Sequence, residues 1–200
     1  MSLRPDLVRI AEMVTPGSRV LDVGCGDGAL LEYLAREKRV DARGLELGQA
    51  GVNACVARGL SVVQGDADTD LQDYPDAGFD YAILSQTIQA TRNPKAVLGQ
   101  LLRISKSTIV SFPNFGYWKI RLSLATGGRM PVTRALSNAW YETPNIHLCS
   151  IADFVALTRT MGVRIERALA LTEDGNAREL LSPGGWDNLI AEGAILLLTK

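Results

Sequence analysis

The sequence predicts an α/β protein built on a doubly wound sheet of seven strands, mostly parallel, with one antiparallel strand at an edge. Three observations predict it. Short runs of β-branched and apolar residues alternate with stretches of helical spacing as far as Pro113, the pattern that strand–helix–strand units produce. The run Val20-Leu21-Asp22-Val23 passes into Gly24-Cys25-Gly26-Asp27-Gly28, and alternating glycines let a backbone turn sharply from strand into helix. Acids stand at the ends of successive strands, at Asp22, Glu46 and Asp66. A doubly wound sheet gathers such positions at the edge where it binds ligands.

Each element follows from local pattern. Residues 5–14 carry Leu7, Val8, Ile10, Ala11 and Val14, the spacing of a short amphipathic helix, with Pro5 at its start. After a turn at Thr15-Pro16-Gly17-Ser18, the first strand and the glycine turn lead into a helix over 29–38. A second strand over 42–46 ends in Glu46. A helix over 49–58 follows, with Gly59 where a C-cap glycine belongs. The third strand, 60–64, precedes Gly65-Asp66-Ala67-Asp68, and the fourth covers 79–85. Asn93-Pro94 opens a helix to 104, and the fifth strand, 107–112, is closed by Pro113-Asn114.

From 115 to 149 the pattern changes: a helix over 116–125, a loop over 126–131, then irregular chain carrying Trp140, Tyr141, Pro144 and His147. This reads as a lid or insertion within a single domain spanning 1–200. A helix over 150–161 starts at Ser150, with Asp153 as the acid of a capping box. The last strands are expected over 163–171 and 194–199. The stretch between them, 173–192, is too short and too broken by Pro183-Gly184-Gly185 for a crossover helix. An antiparallel pairing at the edge of the sheet is therefore expected.

Composition excludes several classes. The 200 residues suit one domain, and 46% hydrophobic against 22% charged is ordinary for a globular core. Lys and Arg (21) nearly balance Asp and Glu (22), which gives no case for nucleic-acid or membrane-surface binding. Cys25, Cys55 and Cys149 form no CxxC pair, which argues for a reducing, cytoplasmic setting and against a disulfide framework or zinc site. No apolar signal region opens the chain, and the run Ala194–Leu198 is far too short to span a bilayer. No His, Cys or acidic cluster has metal-ligand spacing.

Two ligands compete for the glycine turn. Gly24-Cys25-Gly26-Asp27-Gly28-Ala29 loosely fits a dinucleotide fingerprint, with Glu46 near the distance of a ribose-binding acid. That reading makes the chain a nicotinamide-dependent oxidoreductase. The alternative is S-adenosylmethionine (SAM), which uses the same turn without a phosphate pocket. Asp22, Asp27, Glu46, Asp66 and Asp68 decide for SAM. A pyrophosphate brings about two negative charges, and like charges repel by ~1 kcal/mol at close range even in water. SAM carries an ammonium, a sulfonium and one carboxylate, which the N–H groups of the turn can receive.

At these residues the chain resembles the class I SAM-dependent methyltransferases, whose fold is Rossmann-like. Val20 to Gly28 looks like their first motif, Glu46 like their ribose-hydroxyl acid, Gly65-Asp66-Ala67 like their adenine-contacting turn, and Phe79 to Ser85 like the strand beside the methyl group. Three stretches, 84–91, 111–118 and 140–149, resemble more closely the methionine-biosynthesis protein W (MetW) family. The resemblance implies a cytoplasmic protein of methionine synthesis whose partner is homoserine O-acyltransferase. It implies cofactor-binding roles for Asp22, Gly24 and Gly26 at the methionine end and for Glu46 at the ribose, with Cys25 and Leu47 also among the cofactor-binding residues. Asp66 and Ala67 fall to the adenine, and Ser85 and Gln86 to the methyl group.

Catalysis is not legible in the same way. Gln86 and Gln89 follow the fourth strand, where many small-molecule methyltransferases of this fold carry His or acids. Glutamine is no base. His147, the single histidine, is the candidate base. No Gly-x-Ser-x-Gly elbow is present for acyl transfer. A SAM-dependent methyltransferase and a SAM-binding accessory subunit both remain open from sequence.

Overall fold

Pro5 fixes the first turn of α1 (Pro5–Met13), as its missing N–H and preset φ favour. The computed structural model describes residues 3–133, 136–172, 176–180 and 185–200. In chain order there follow β1 (Arg19–Val23), α2 (Ala29–Lys38), β2 (Asp41–Glu46), α3 (Gln49–Ala57), β3 (Ser61–Gln64), β4 (Phe79–Ser85), α4 (Pro94–Ile104) and β5 (Ser105–Pro113). Beyond these lie α5 (Trp118–Gly127), α6 (Ile151–Thr160), β6 (Arg164–Leu171), β7 (Ala177–Glu179), α7 (Trp186–Ile190) and β8 (Gly193–Thr199). Short 3₁₀ turns cover Asp70–Asp73 and Ile88–Ala90. The expected capping box of Ser150 and Asp153 is complete, and the Asn93 side chain caps α4 by accepting from Ala96 N.

The strands lie in the order β3-β2-β1-β4-β5-β8-β6-β7. β1 to β5 are all parallel. The chain winds outward one way from β1 and the other way from β4, so the crevice between them is the switch point where such sheets bind ligands. Alternation along the strands sorts the core into two layers. Ala82 and Leu84 of β4 join Val110 and Phe112 of β5 against α4 and α6 on one face. Ile83 and Ile109 face α1 and α2 on the other, with Ile10, Leu30 and Leu34.

The far side of the sheet corrects the expected strand count. Among the described residues there are eight strands rather than seven, because three residues of the stretch read as broken chain form β7 and pair antiparallel with β6. β8 is antiparallel as expected, but it sits between β5 and β6 instead of at the edge. Ala194, Ile195 and Leu196 are fully buried, and a strand covered on both faces belongs inside a sheet. Pro183-Gly184 lies outside the described residues.

Asn114, fully buried at the end of β5, ties that strand to the C-terminal half. Its Nδ2 donates to the carbonyls of Asn188 and Ala191, both at 2.8 Å. Its Oδ1 accepts from Gly116 N at 2.9 Å and Ile151 N at 3.1 Å. The amide thus uses its full hydrogen-bonding capacity. The described chain 136–149 is held to the 3₁₀ turn after β4 at Gln89, whose carbonyl accepts from Ile146 N and His147 N, both at 2.9 Å. Trp140 and Tyr141 on that segment are 71% and 70% exposed.

Candidate functional site

β1 delivers Asp22 and then Gly24, Gly26 and Gly28 to the switch point, with φ of +72°, +56° and +80°. All three lie in the left-handed region, which explains the alternating glycines. Their surroundings differ. A Cβ on Gly24 would stand 2.6 Å from Thr87 Oγ1, and one on Gly28 would stand 2.5 Å from Leu60 Cδ1. A Cβ on Gly26 would meet nothing within 4 Å, because that face opens on a cavity. This cavity of about 700 Å³ is lined by Asp22, Gly24, Cys25, Gly26 and Ser85, and by Arg4 and Leu7 of the N-terminal segment.

Asp22 is the anomaly in this cavity. The residue is only 2% exposed, and its Oδ1 has no hydrogen-bond partner among the described residues. Burial pushes its carboxyl up to about 7, the Glu46 carboxylate adds to the rise and Arg4 opposes it. An unpartnered buried carboxylate is costly, and an ammonium entering from the cavity supplies what it lacks. The donor set therefore fits the aminoacyl end of SAM.

The N–H groups expected to receive the SAM carboxylate are largely engaged. Gly24 N and Cys25 N donate to Leu45 O at 2.7 and 3.4 Å, and Gly28 N donates to Cys25 O at 3.0 Å. Gly26 N donates to Glu46 Oε2 at 2.8 Å. Arg4, Arg36 and Arg58 all line the cavity, and Arg4, the one that opposes the pKa rise of Asp22, is a residue that sequence reasoning passed over. Its only sequence signal was a charge just before a helix-opening proline.

Glu46 stands at the end of β2 and braces the turn, since its Oε1 also accepts from Gly48 N at 2.8 Å. Each oxygen retains a lone pair for a ribose hydroxyl. Leu47 beside it is 65% exposed, an apolar surface available to a flat ring. Gly65 N donates to Glu46 O at 3.0 Å, which brings the β3 turn alongside. Asp66 there accepts from Asp68 N at 2.9 Å and forms an ion pair with Arg92. Ala67 packs against the main core. Arg92 is a second residue without a sequence signal, because it reaches Asp66 only through the fold.

Ser85 and Gln86, expected together at the methyl group, diverge. Ser85 lines the large cavity and its Oγ accepts from Ser111 Oγ at 3.2 Å. Gln86 has φ +54° and lines a second, smaller cavity. Its Nε2 donates to Asp6 Oδ2 at 3.2 Å. Asp6 is thus a buried carboxylate beside the end of β4, where sequence showed only glutamines. Its position next to Pro5 marked it merely as a first-turn acid of a helix.

His147 lines neither cavity among those described. It is exposed, and its Nε2 lies 3.2 Å from Arg92 O. Cys25 is a packed filler: its Sγ lies 3.9 Å from Cys55 Sγ, and burial pushes its thiol well above the usual range. Among the described residues no group of three or more His, Cys, Asp or Glu is placed to hold a metal ion. No described helix is long and apolar enough to cross a membrane.

Residues 4–198 match the family described as Methionine biosynthesis protein MetW. The chain belongs to the MetW family. A relative of similar sequence is the bifunctional methionine biosynthesis protein MetXA/MetW of Rhodopirellula baltica, 33% identical over 98% of this chain and 33% of that protein. A fatty-acid O-methyltransferase of Mycolicibacterium smegmatis is 47% identical over 35% of this chain and 27% of its own length. This MetW chain thus spans about a third of the length of these curated relatives. Among solved structures, a SAM-dependent methyltransferase from Thermotoga maritima superposes with a TM-score of 0.70 at 19% identity, covering 98% of this chain and 88% of the other. One from Archaeoglobus fulgidus gives 0.70 at 16%, covering 98% and 92%. The [4+2]-cyclase SpnF gives 0.65 at 18%, covering 98% and 80%. These likenesses establish the class I methyltransferase fold of this MetW protein, and none of them supports an oxidoreductase.

Proposed function

We propose that this MetW chain binds SAM in the large cavity and acts in methionine biosynthesis as a SAM-binding subunit that supports homoserine O-acyltransferase. The observation that carries the reading is the buried, unpartnered Asp22 carboxylate beneath a glycine turn whose open face is Gly26. Asp22 holds the ammonium and Arg4 the carboxylate. Glu46 takes the ribose hydroxyls, Leu47 the adenine face, and Asp66 with Ala67 its edge. Ser85 stands toward the methyl-bearing sulfonium. When bound, SAM supplies an electrophilic methyl group; the chain's own groups bind it, orient it and exclude water.

The partner assignment draws on the family resemblance and on the fused MetXA/MetW relative. Calorimetry with SAM, together with acyltransferase assays with and without this chain, tests it. Tight SAM binding and a changed acyltransferase rate are expected. An unchanged rate at saturating SAM removes the accessory role.

A second reading, methyl transfer by this chain itself, is favoured by Asp6, whose carboxylate touches Gln86 Nε2 and gives the acceptor side a group able to take a proton. Incubation with methyl-labelled SAM and a panel of small acceptors tests it, and transfer of label is the expected result. No transfer across the panel leaves the accessory reading alone.

A further inference from the structure

The turn that follows β4, residues 86–93, meets the glycine turn, the loop after β3 and the chain 136–149. Against the glycine turn it sets Thr87, since a Cβ on Gly24 would stand 2.6 Å from Thr87 Oγ1. The loop after β3 grips its other end. Asp68 Oδ2 accepts from Arg92 N and Oδ1 from Asn93 N, both at 2.8 Å. Asp66 pairs with the Arg92 guanidinium, and Asp70 Oδ2 accepts from Asp66 N at 2.8 Å. Between these contacts stands Gln89, only 2% exposed. Its carbonyl holds Ile146 N and His147 N, and its Nε2 donates to Pro113 O at 3.1 Å and Cys149 Sγ at 3.3 Å.

Asp68, read from sequence with the acids that favour SAM, thus has each oxygen seated on a backbone N–H of the neighbouring turn. Hydrogen bonds to a charged acceptor are roughly twice as strong as neutral ones, so Asp68 is the firm part of this junction. The Arg92 side chain is its loose part. It is 66% exposed, so its pair with Asp66 contributes little by itself and it retains much rotamer freedom. Asp66 Oδ1 accepts from Asp68 N at 2.9 Å, and a carboxylate has about four lone-pair positions. Asp66 therefore retains room for an adenine amino group. Such a donor is neutral, so it fixes the Asp66 carboxylate without displacing Arg92. Fixing that carboxylate orders Arg92 and the loop on which the 86–93 turn is seated. Sites that share their ordering are coupled even where the fold does not change.

We propose that Asp66, Asp68 and Arg92 form a clasp between the adenine end of the SAM site and the chain 136–149. Occupancy of the site then strengthens the hold of Gln89 on Ile146 and His147. The clasp rests on the SAM reading above and extends it: the segment bearing the exposed Trp140 and Tyr141 becomes more ordered when SAM is bound.

Amide hydrogen exchange of the unmodified chain, with and without saturating S-adenosylhomocysteine, tests this, and calorimetry on the same sample reads binding separately. Ile146 N–H and His147 N–H are expected to exchange about fivefold more slowly with the ligand, the lower end of coupling between sites. Gly128 N–H, bonded to Leu124 O at the end of α5, should keep its rate. In Asp68→Ala the slowing at 146 and 147 should vanish while the ligand still binds at saturation. A merely structural Asp68 would raise exchange equally with and without the ligand; a preserved fivefold ratio in this variant therefore overturns the clasp. If Asp68→Ala does not fold, Arg92→Ala decides at an exposed position: the slowing should fall to about twofold or less, and an unchanged ratio overturns the proposal. Unaltered exchange at 146 and 147 in the ligand-bound unmodified chain also overturns it, as does equal slowing at Gly128, the mark of general stabilisation. Absence of S-adenosylhomocysteine binding overturns the SAM reading and the clasp with it.

Discussion

Glu46 Oε2 accepts from Gly26 N at 2.8 Å while its Oε1 accepts from Gly48 N at the same distance. The acid read as a ribose ligand is therefore also the brace of the glycine turn. Substituting it removes two roles at once. Glu46→Ala should weaken SAM binding by ~1–3 kcal/mol, the scale of a lost hydrogen bond to a charged group. Calorimetry measures this, and an unchanged affinity removes Glu46 from the site.

Asp22 links affinity and stability to pH. Its folded pKa, about 7, is raised above the ordinary 3.8. Its stability contribution is thus fully present below the unfolded value and is lost as pH rises through about 7. Asp22→Asn should stabilise the free chain by roughly 2–4 kcal/mol above that pH and make no difference in acid, as denaturant unfolding at several pH values would show. SAM affinity should run the opposite way. It should rise as Asp22 ionises toward about pH 7, and the Asn variant should lose both the rise and most of the affinity.

Gly26 and Gly28 share a backbone conformation but not an environment. Gly26→Ala costs ~1–2 kcal/mol for its left-handed φ and places a methyl group in the cavity, so it should fold and lose SAM. Gly28→Ala must also displace Leu60 and Cys55, whose atoms would stand 2.5 and 2.8 Å from the new Cβ. It should lower stability by more than the Gly26 variant. Thermal unfolding beside SAM titration separates the two.

Asn114→Ala strips four buried backbone groups of their partner at the junction of β5, α6 and α7. A loss of ~3 kcal/mol or more in denaturant unfolding is expected, since each orphaned buried group costs ~1–3 kcal/mol.

His147→Ala should leave SAM affinity unchanged and stability within about 0.5 kcal/mol, as for exposed positions away from special features. Loss of methyl transfer with SAM binding intact would restore His147 as a base.

The strand–glycine–helix unit was legible because its determinants are local. Alternating glycines answer to left-handed φ at 24, 26 and 28, and the Ser150–Asp153 capping box and the Asn93 cap form from neighbours in sequence. The acids Asp22, Glu46 and Asp66 were legible for a different reason: β1 and β2 pair with β1's Val23 opposite Leu45, and β2 and β3 pair with Glu46 opposite Gln64. Parallel register carries strand ends to one edge. The place of β8 was not legible, since an apolar run announces burial but not which strands flank it.

The strand–glycine–helix cradle and the acids around it were set by sequence alone, because strand ends, glycines and acids act within a few residues of one another. Tertiary structure alone decided what stands around that cradle. Arg4 and Asp6 come from the N-terminal segment to Ser85 and Gln86, eighty residues apart in the Asp6–Gln86 contact. Ser85 and Gln86 are neighbours in the chain yet line different cavities, because successive side chains at a strand end leave on opposite sides. Long-range packing and that alternation, rather than any local pattern, turned one ligand cradle into two adjoining cavities that share an arginine.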